Sequence, residues 1–148
     1  MREVKALGEA RYSRAALAAL PPAMLLTDAN RLLALSRTKG YRMARDGEYP
    51  CATIQVGDGH RVVTAELLRL LGLDDTGLRR AFAALPPAIP LPVANTLLSL
   101  SRTTGYKLAR TGQYPCAVIH LGKEYRVRKN ELQRLLRVED VPSGKAAA

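Results

Sequence analysis

The sequence SRTKGYRMARDGEYPCA at residues 36–52 returns almost unchanged as SRTTGYKLARTGQYPCA at residues 101–117. Extending this match in both directions gives a gapless alignment of 60 positions at a constant offset of 65 residues, and 35 of the pairs are identical. Two copies of this length are too few for a solenoid and too long for a single supersecondary unit, so they predict two small domains of one type. The predicted domains are residues 14–73 and 79–138, here called the first and second repeat, with tails at 1–13 and 139–148.

The chain is strongly basic, with 23 Lys and Arg against 13 Asp and Glu and a formal net charge of +10. A charge of this size favours a polyanionic partner, with nucleic acid ahead of an acidic membrane surface. A basic surface with no such partner is the alternative. The charge is uneven, because the first repeat has eight basic and five acidic residues (+3) and the second has eleven basic and two acidic residues (+9).

The chain lacks the sequence patterns of common active sites. We find no paired carboxylates, phosphate-binding loop, metal-ligand cluster or nucleophile with a base at hand, and we therefore expect a protein that is not an enzyme and uses no cofactor, metal or small-molecule ligand. Cys51 and Cys116 occupy equivalent positions in short apolar runs, which is typical of small buried hydrophobic residues. Without a signal core or an apolar run that could span a bilayer, we expect a cytoplasmic protein with no membrane partner.

Hydrophobic periodicity predicts the same order of elements in each repeat: helix, tight turn, helix, β-hairpin, helix. The predicted fold class is therefore α+β and mainly α. In the first repeat we expect Thr27 to cap the first helix and Ser36 to cap the second, which ends at Gly47. Alternating residues at 52–63 predict the hairpin, and Thr64 is the expected cap of the last helix. A short Ala- and Leu-rich helix is predicted before the Pro-Pro pair of each repeat.

The second predicted helix of each repeat has two unlike faces. Gly40, Met43, Ala44 and Gly47 share one side of it in the first repeat. The other side, here called the outer face, carries only cationic and hydroxyl-bearing residues, whereas an ordinary solvated helix mixes the signs of charge. The outer faces are Arg37, Thr38, Tyr41, Arg42 and Arg45 in the first repeat and Arg102, Thr103, Tyr106, Lys107 and Arg110 in the second.

The residues at 36–50 resemble the excisionase family of winged helix-turn-helix proteins, which is related to the DNA-binding domain of MerR-type regulators. The resemblance rests on a serine cap, a basic residue, a hydroxyl, a Tyr-basic pair, an Arg and then Gly-Glu-x-Pro. It covers residues 26–71 and again 91–136, including a hairpin wing and a closing Glu-Leu helix. It implies two tandem winged helix-turn-helix domains, each with a helix-turn-helix, a β-hairpin wing and a helix.

The resemblance also implies binding to DNA, with the second helix in the major groove and the wing over the flanking backbone or minor groove. The Arg fork suits guanine O6 and N7, and a helix N-terminus capped by Ser36 or Ser101 offers N–H groups to a phosphate. The implied base-reading residues are Arg37, Thr38 and Lys39, with Arg102, Thr103 and Thr104 in the second repeat. The implied phosphate contacts are Tyr41, Arg42, Arg45, Tyr106, Lys107 and Arg110, and the implied wing contacts are Arg61 and Arg126, with Lys123 and Arg128 beside the latter.

Two positions depart from the family's pattern. Gly40 and Gly105 stand where the family usually has a branched apolar residue, and a glycine inside a helix costs about 1 kcal/mol relative to alanine. Either another part of the protein packs very closely against these glycines, or the helix becomes ordered only when it binds its partner. The tip of the first wing reads Asp58-Gly59-His60 where the family is usually basic, so the first wing is expected to contact DNA weakly or not at all.

The resemblance favours an excisionase-like protein that binds double-stranded DNA and helps to assemble or bend a recombination site. An integrase or recombinase is then a candidate protein partner, and the protein would associate with the nucleoid. The alternative is a transcription regulator that binds promoters through the same fold. Because the segment between the repeats is short, we expect a head-to-tail arrangement and half-sites that form a direct repeat.

Overall fold

The computed structural model describes residues 19–57 and 59–139, and from β1 and β4 onward its two repeats have the same order of elements. This part of the chain has an α+β fold with two small three-stranded sheets. The first repeat contains β1 (Ala23–Leu25), α1 (Leu26–Leu32), α2 (Arg37–Arg45), β2 (Thr53–Val56), β3 (Gly59–Val63) and α3 (Thr64–Leu70). The second contains α4 (Thr76–Ala83), β4 (Ala88–Pro90), α5 (Leu91–Leu97), α6 (Arg102–Thr111), β5 (Val118–Leu121), β6 (Glu124–Arg128) and α7 (Lys129–Leu135).

Each sheet is the predicted hairpin with one further strand added. In the first repeat the strand order is β1-β3-β2, all antiparallel, and Ala23 pairs with Val63. In the second the order is β4-β6-β5, and Ala88 pairs with Arg128. Periodicity could not reveal β1 and β4, because three residues that follow a Pro-Pro pair are too short for an alternation to be seen.

The added strand changes how two helices begin. Thr27 is not a cap, since α1 begins at Leu26 directly after β1 and has no side-chain cap. Thr64 is also not a cap, because it is the first residue of α3, is fully buried, and has an N–H group that donates to the Pro22 carbonyl over 3.0 Å. Its hydroxyl donates to the carbonyl of Pro21 and so ties α3 to the segment before β1.

The boundaries of α2 and α6 follow the sequence closely. Ser36 Oγ accepts a hydrogen bond from the Lys39 N–H over 3.1 Å, and Ser101 Oγ accepts the equivalent bond from Thr104 over 3.1 Å. Gly47 follows the end of α2 with a φ of 73°, a left-handed conformation in which glycine is favoured. It is exposed and does not lie on the inner face that we expected for it. The helix predicted before the first Pro-Pro pair lies outside the described residues, whereas its counterpart in the second repeat is α4.

A buried asparagine packs against the unusual glycine of α2. A Cβ atom placed on Gly40 would lie 2.2–2.3 Å from the three terminal atoms of the Asn30 side chain. Asn30 is 2 % exposed, and its Oδ1 accepts a hydrogen bond from the Tyr49 hydroxyl over 2.8 Å. The second repeat has the same arrangement with Asn95, Gly105 and Tyr114, again with a 2.8 Å hydrogen bond. Of the two explanations for the glycine, close packing is therefore the one that the structure supports.

The first sheet is covered on both sides. On its inner side Met24 and Val62 pack with α1, α2 and α3. On its other side the apolar residues belong to one continuous cluster with the core of the second repeat and with Leu78 and Phe82 of α4. These outer-side residues are Ala23, Ile54, Val56 and Val63, each at most 8 % exposed. The two repeats are therefore packed against each other.

The outer side of the second sheet is more exposed and only partly apolar. Ala88, Ile119 and Leu121 occupy three of the four aligned positions, and Leu121 is 53 % exposed. Arg128 stands where the first repeat has Val63, and it is exposed. Asn130 and Gln133 likewise replace Ala65 and Leu68, both of which are buried in the first repeat. In the described part of the chain, a uniformly apolar and covered outer side thus belongs to the first sheet alone. The contact between the repeats therefore runs in one direction, with the second repeat docked on the sheet of the first.

We predict that Gly40→Ala destabilises the protein even though alanine is the better helix former by about 1 kcal/mol. The new methyl group would displace the buried Asn30 side chain, and overpacking of this kind costs about 1 to 3 kcal/mol. Urea denaturation of wild type, Gly40→Ala, Asn30→Ala and the double variant measures the effect and its coupling. A Gly40→Ala protein more stable than wild type would contradict the prediction, as would additive effects in the double variant.

Candidate nucleic-acid interface

The outer face of α2 is open to solvent over its whole length. The expected residues Arg37, Thr38, Lys39, Arg42 and Arg45 are all exposed, as is the capping Ser36. Tyr41 is 38 % exposed, and the Arg37 guanidinium lies over its ring at 5.7 Å from the ring centre. This cation–π contact holds the first arginine of α2 against the helix surface, where its donors still face outward.

The outer face of α6 matches it, with one difference at the tyrosine. Ser101, Arg102, Thr103, Thr104, Lys107 and Arg110 are exposed. Arg102 lies over the Tyr106 ring at 5.8 Å, as Arg37 does over Tyr41. Tyr106, however, is half-buried and packs edge-on against Tyr125 of the hairpin, with ring centres 6.1 Å apart. In the second repeat the helix and the hairpin are therefore joined by an aromatic contact.

The two faces differ in their acidic neighbours. In the first repeat the Arg45 guanidinium lies 3.6 Å from the Asp46 carboxylate. The equivalent of Asp46 is Thr111, whose hydroxyl donates to the Lys107 carbonyl over 2.9 Å. Neither α2 nor α6 contains an Asp or Glu, so the difference lies in Asp46, the residue directly after α2. A polyanion would therefore meet less local repulsion at α6 than at α2.

The hairpin of the second repeat carries three cations in different settings. Lys123 is exposed near the turn. Arg126 is half-buried and pairs with Glu124 over 2.7 Å. Arg128 is exposed and pairs with Glu131 over 3.0 Å. Because two of the three cations already have a carboxylate neighbour, the hairpin is less positive than the residue count suggests.

Arg61, the expected wing contact of the first repeat, lies between the two repeats. Its Nε donates to the Leu98 carbonyl over 3.1 Å, and its Nη2 donates to the Ser99 carbonyl over 2.9 Å. Burial lowers the pKa of its guanidinium, and the nearby Tyr41 hydroxyl acts in the opposite direction. The donors that a wing arginine would offer to a phosphate are thus engaged with the protein backbone.

The two cysteines are free and half-buried at equivalent places beside the cores. Burial raises the pKa of Cys51 to about 11 and that of Cys116 to about 12, with a smaller contribution from Glu66 and Glu131 respectively. Both are therefore thiols at neutral pH and not activated nucleophiles. Within residues 19–57 and 59–139 no group of His, Cys, Asp and Glu side chains is placed to hold a metal ion.

Sequence reasoning missed the residues that position the outer faces. Asn30 and Asn95, with Tyr49 and Tyr114, hold the helix pairs together, and Ser99 binds across the repeats through its side chain. The sequence contained a signal for the two asparagines and the two tyrosines, since an asparagine and a tyrosine 19 residues apart are identical in both repeats. Ser99 aligns with Ala34, so the repeat pattern contained no signal for it.

Comparison with known proteins finds no counterpart for this chain. No family model matches it, and neither the curated proteins nor the solved structures contain a match. Within the described part of the chain, no helix is long and apolar enough to cross a membrane.

We predict that the free energy of unfolding falls as the pH rises above about 9. The ordinary pKa of a cysteine thiol is 9.0, and burial raises the pKa of both thiols and of the Tyr49 and Tyr114 hydroxyls in the folded protein. The folded state therefore keeps protons that the unfolded chain has lost, and stability declines with rising pH. Urea titrations from about pH 7 to about pH 10 measure this slope. The Cys51→Ala/Cys116→Ala variant should show a shallower slope between pH 9 and 10, and an unchanged slope would contradict the assignment to the thiols.

Proposed function

We propose that each repeat is a winged helix-turn-helix domain and that the chain is a sequence-specific, double-stranded DNA-binding protein of the excisionase type. The observation that carries the proposal is the pair of exposed outer faces on α2 and α6, each beginning at a serine cap and each bearing an Arg-Thr pair at its N-terminal end. Such a helix presents its N-terminal side chains to base edges in the major groove.

The side chains of each outer face have two proposed roles, contact with base edges and contact with phosphates. Arg37 and Arg102 occupy the first turn, where an arginine fork can meet guanine O6 and N7. The cations one and two turns later meet the phosphates, which fix the register without reading sequence. These are Arg42 and Arg45 on α2 and Lys107 and Arg110 on α6. The free N–H groups at each helix start add a phosphate site.

The two repeats are covalently joined and packed together, which supports the proposal that one chain brings both outer faces to a single duplex. Since the inter-repeat contact runs in one direction, the half-sites that it suits are direct repeats and not a palindrome. In this proposal the protein bends or assembles a recombination site, with an integrase or recombinase as its protein partner.

A circular-permutation gel assay measures DNA bending and therefore tests the architectural part of the proposal. Straight DNA in the complex would contradict that part, and only the proposed sequence-specific binding would remain.

We predict that binding to duplex DNA is strongly salt-dependent. With roughly 6 to 10 phosphate contacts, the association constant should fall by about 10³ to 10⁵ between about 50 and about 200 mM salt. Fluorescence anisotropy titrations with a duplex from the protein's own locus measure the slope. A flat response to salt would overturn the proposed phosphate contacts.

We predict that Arg37→Ala and Arg102→Ala each relax base preference at a separate half-site, at a cost of about 1 to 3 kcal/mol. The reason is that each arginine lies in the exposed first turn of its helix, over a tyrosine ring. Selection from a randomised duplex pool measures the preference. Arg80→Ala is the matched control, because Arg80 is an exposed arginine on α4 and belongs to neither outer face. Unchanged preference in both test variants would assign the two arginines to phosphates or solvent.

A further inference from the structure

Arg61 forms the most specific contact between the two repeats. Three of its donor-acceptor contacts reach the tight turn that precedes α6: Nε to the carbonyls of Leu98 (3.1 Å) and Ser99 (3.3 Å), and Nη2 to the Ser99 carbonyl (2.9 Å). Its third nitrogen, Nη1, donates to its own neighbour His60 over 3.1 Å. All three nitrogens of the planar guanidinium thus donate hydrogen bonds, and these bonds fix its orientation relative to the turn.

A second bond fixes the same turn to the same sheet. The Ser99 hydroxyl donates to the Ala23 carbonyl over 2.6 Å, and Ser99 has a φ of 56°, in the left-handed region. Ala23 lies on β1 and Arg61 on β3, so two adjacent strands of the first repeat hold the turn. Ser101, two residues later, caps α6. The contact therefore sets where α6 begins relative to the first repeat.

The equivalent residues make no such contact in the other direction. Arg126 aligns with Arg61, but its guanidinium binds Glu124 and the Tyr125 carbonyl within its own hairpin. Ala34 aligns with Ser99 and has no hydroxyl to donate. Only one of the two arginines is thus placed between the repeats, although both occupy the same position of the fold.

The strand that carries Arg61 also packs with α2, because Val62 and Ala44 belong to one buried cluster, and Tyr41 of the outer face acts to raise the pKa of the Arg61 guanidinium. This strand thus packs with the helix that carries the outer face of the first repeat, and its Arg61 binds the turn that starts the outer face of the second. On the basis of the proposed function, we propose that Arg61 is a positioning residue: its bonds to the Leu98 and Ser99 carbonyls fix α2 relative to α6 and thereby select the spacing between the two DNA half-sites.

The physical basis is the difference between a rigid and a flexible connection. Two binding modules in a fixed relation engage two half-sites at one spacing and helical phase, whereas loosely joined modules tolerate several. The planar arginine fork defines an angle as well as a distance, which the single ammonium of lysine does not. Loss of the fork should therefore broaden the accepted spacings while the base preference within each half-site stays the same.

The experiment measures spacing and base preference separately in the full chain. Selection by wild type from a randomised duplex pool yields the half-site sequence, and duplexes with that half-site in duplicate are then made at every spacing across one helical turn, about 10 base pairs. Wild type, Arg61→Lys and Ser99→Ala are titrated against all of them. Arg126→Lys is the matched control, since it makes the same change at the aligned arginine, and circular dichroism checks that every variant is folded.

Wild type should bind best at one spacing, and Arg61→Lys should reduce the preference for that spacing by about tenfold or more, as expected for the loss of bonds to a charged donor. Ser99→Ala should reduce it by a smaller factor, and Arg126→Lys should weaken binding equally at all spacings. A spacing optimum that survives in Arg61→Lys, or a flat profile in wild type, would overturn this inference and leave the proposed function standing. Failure of wild type to enrich any sequence would instead overturn the proposed function and this inference with it.

Discussion

The contact on which each repeat depends is an asparagine amide packed against a glycine with no Cβ. At 2.2–2.3 Å, the space that a Cβ of Gly40 would need is already occupied by the Asn30 amide, so α1 and α2 approach more closely than any other residue would permit. The inner side of α2 is fixed by this approach, and its outer face is consequently fixed toward solvent. The Tyr49 hydroxyl then ties the loop after α2 to the same amide.

This constraint also explains why a helix with an unfavourable residue in its middle is stable. Gly40 lowers the intrinsic propensity of α2 by about 1 kcal/mol relative to alanine. In exchange, the buried Asn30 side chain obtains a close packing partner, and its Oδ1 accepts a hydrogen bond, whereas its Nδ2 has no hydrogen-bond partner among the described residues. Because the second repeat has the same three residues in the same relation, the arrangement belongs to the repeat unit itself.

Local sequence patterns predicted the parts of the fold that depend on local chemistry. The serine caps, the left-handed glycine after α2 and the hairpin were each predictable, because a side-chain oxygen, a positive φ or an alternation marks them. The short strands and the start of α3 were not predictable, since they depend on partners distant in sequence, as Thr64 does on Pro21. The exposed residues of the candidate interface followed from helical periodicity, whereas the engagement of Arg61 depends on how the repeats pack.

The packing of the repeats has a consequence for self-association. A contact that runs in one direction can in principle continue from molecule to molecule, because each unit retains the unused half of the interface. Here the second repeat presents Arg128 where the first presents Val63, and its Arg126 is held by Glu124. A further turn docked there would meet the apolar Ala88, Ile119 and Leu121, but it would also bury the charge of Arg128, which is unfavourable. The divergence between the repeats thus places an apolar side chain at the docking position of one sheet and a charged side chain at the same position of the other, which disfavours continuation of the contact from molecule to molecule.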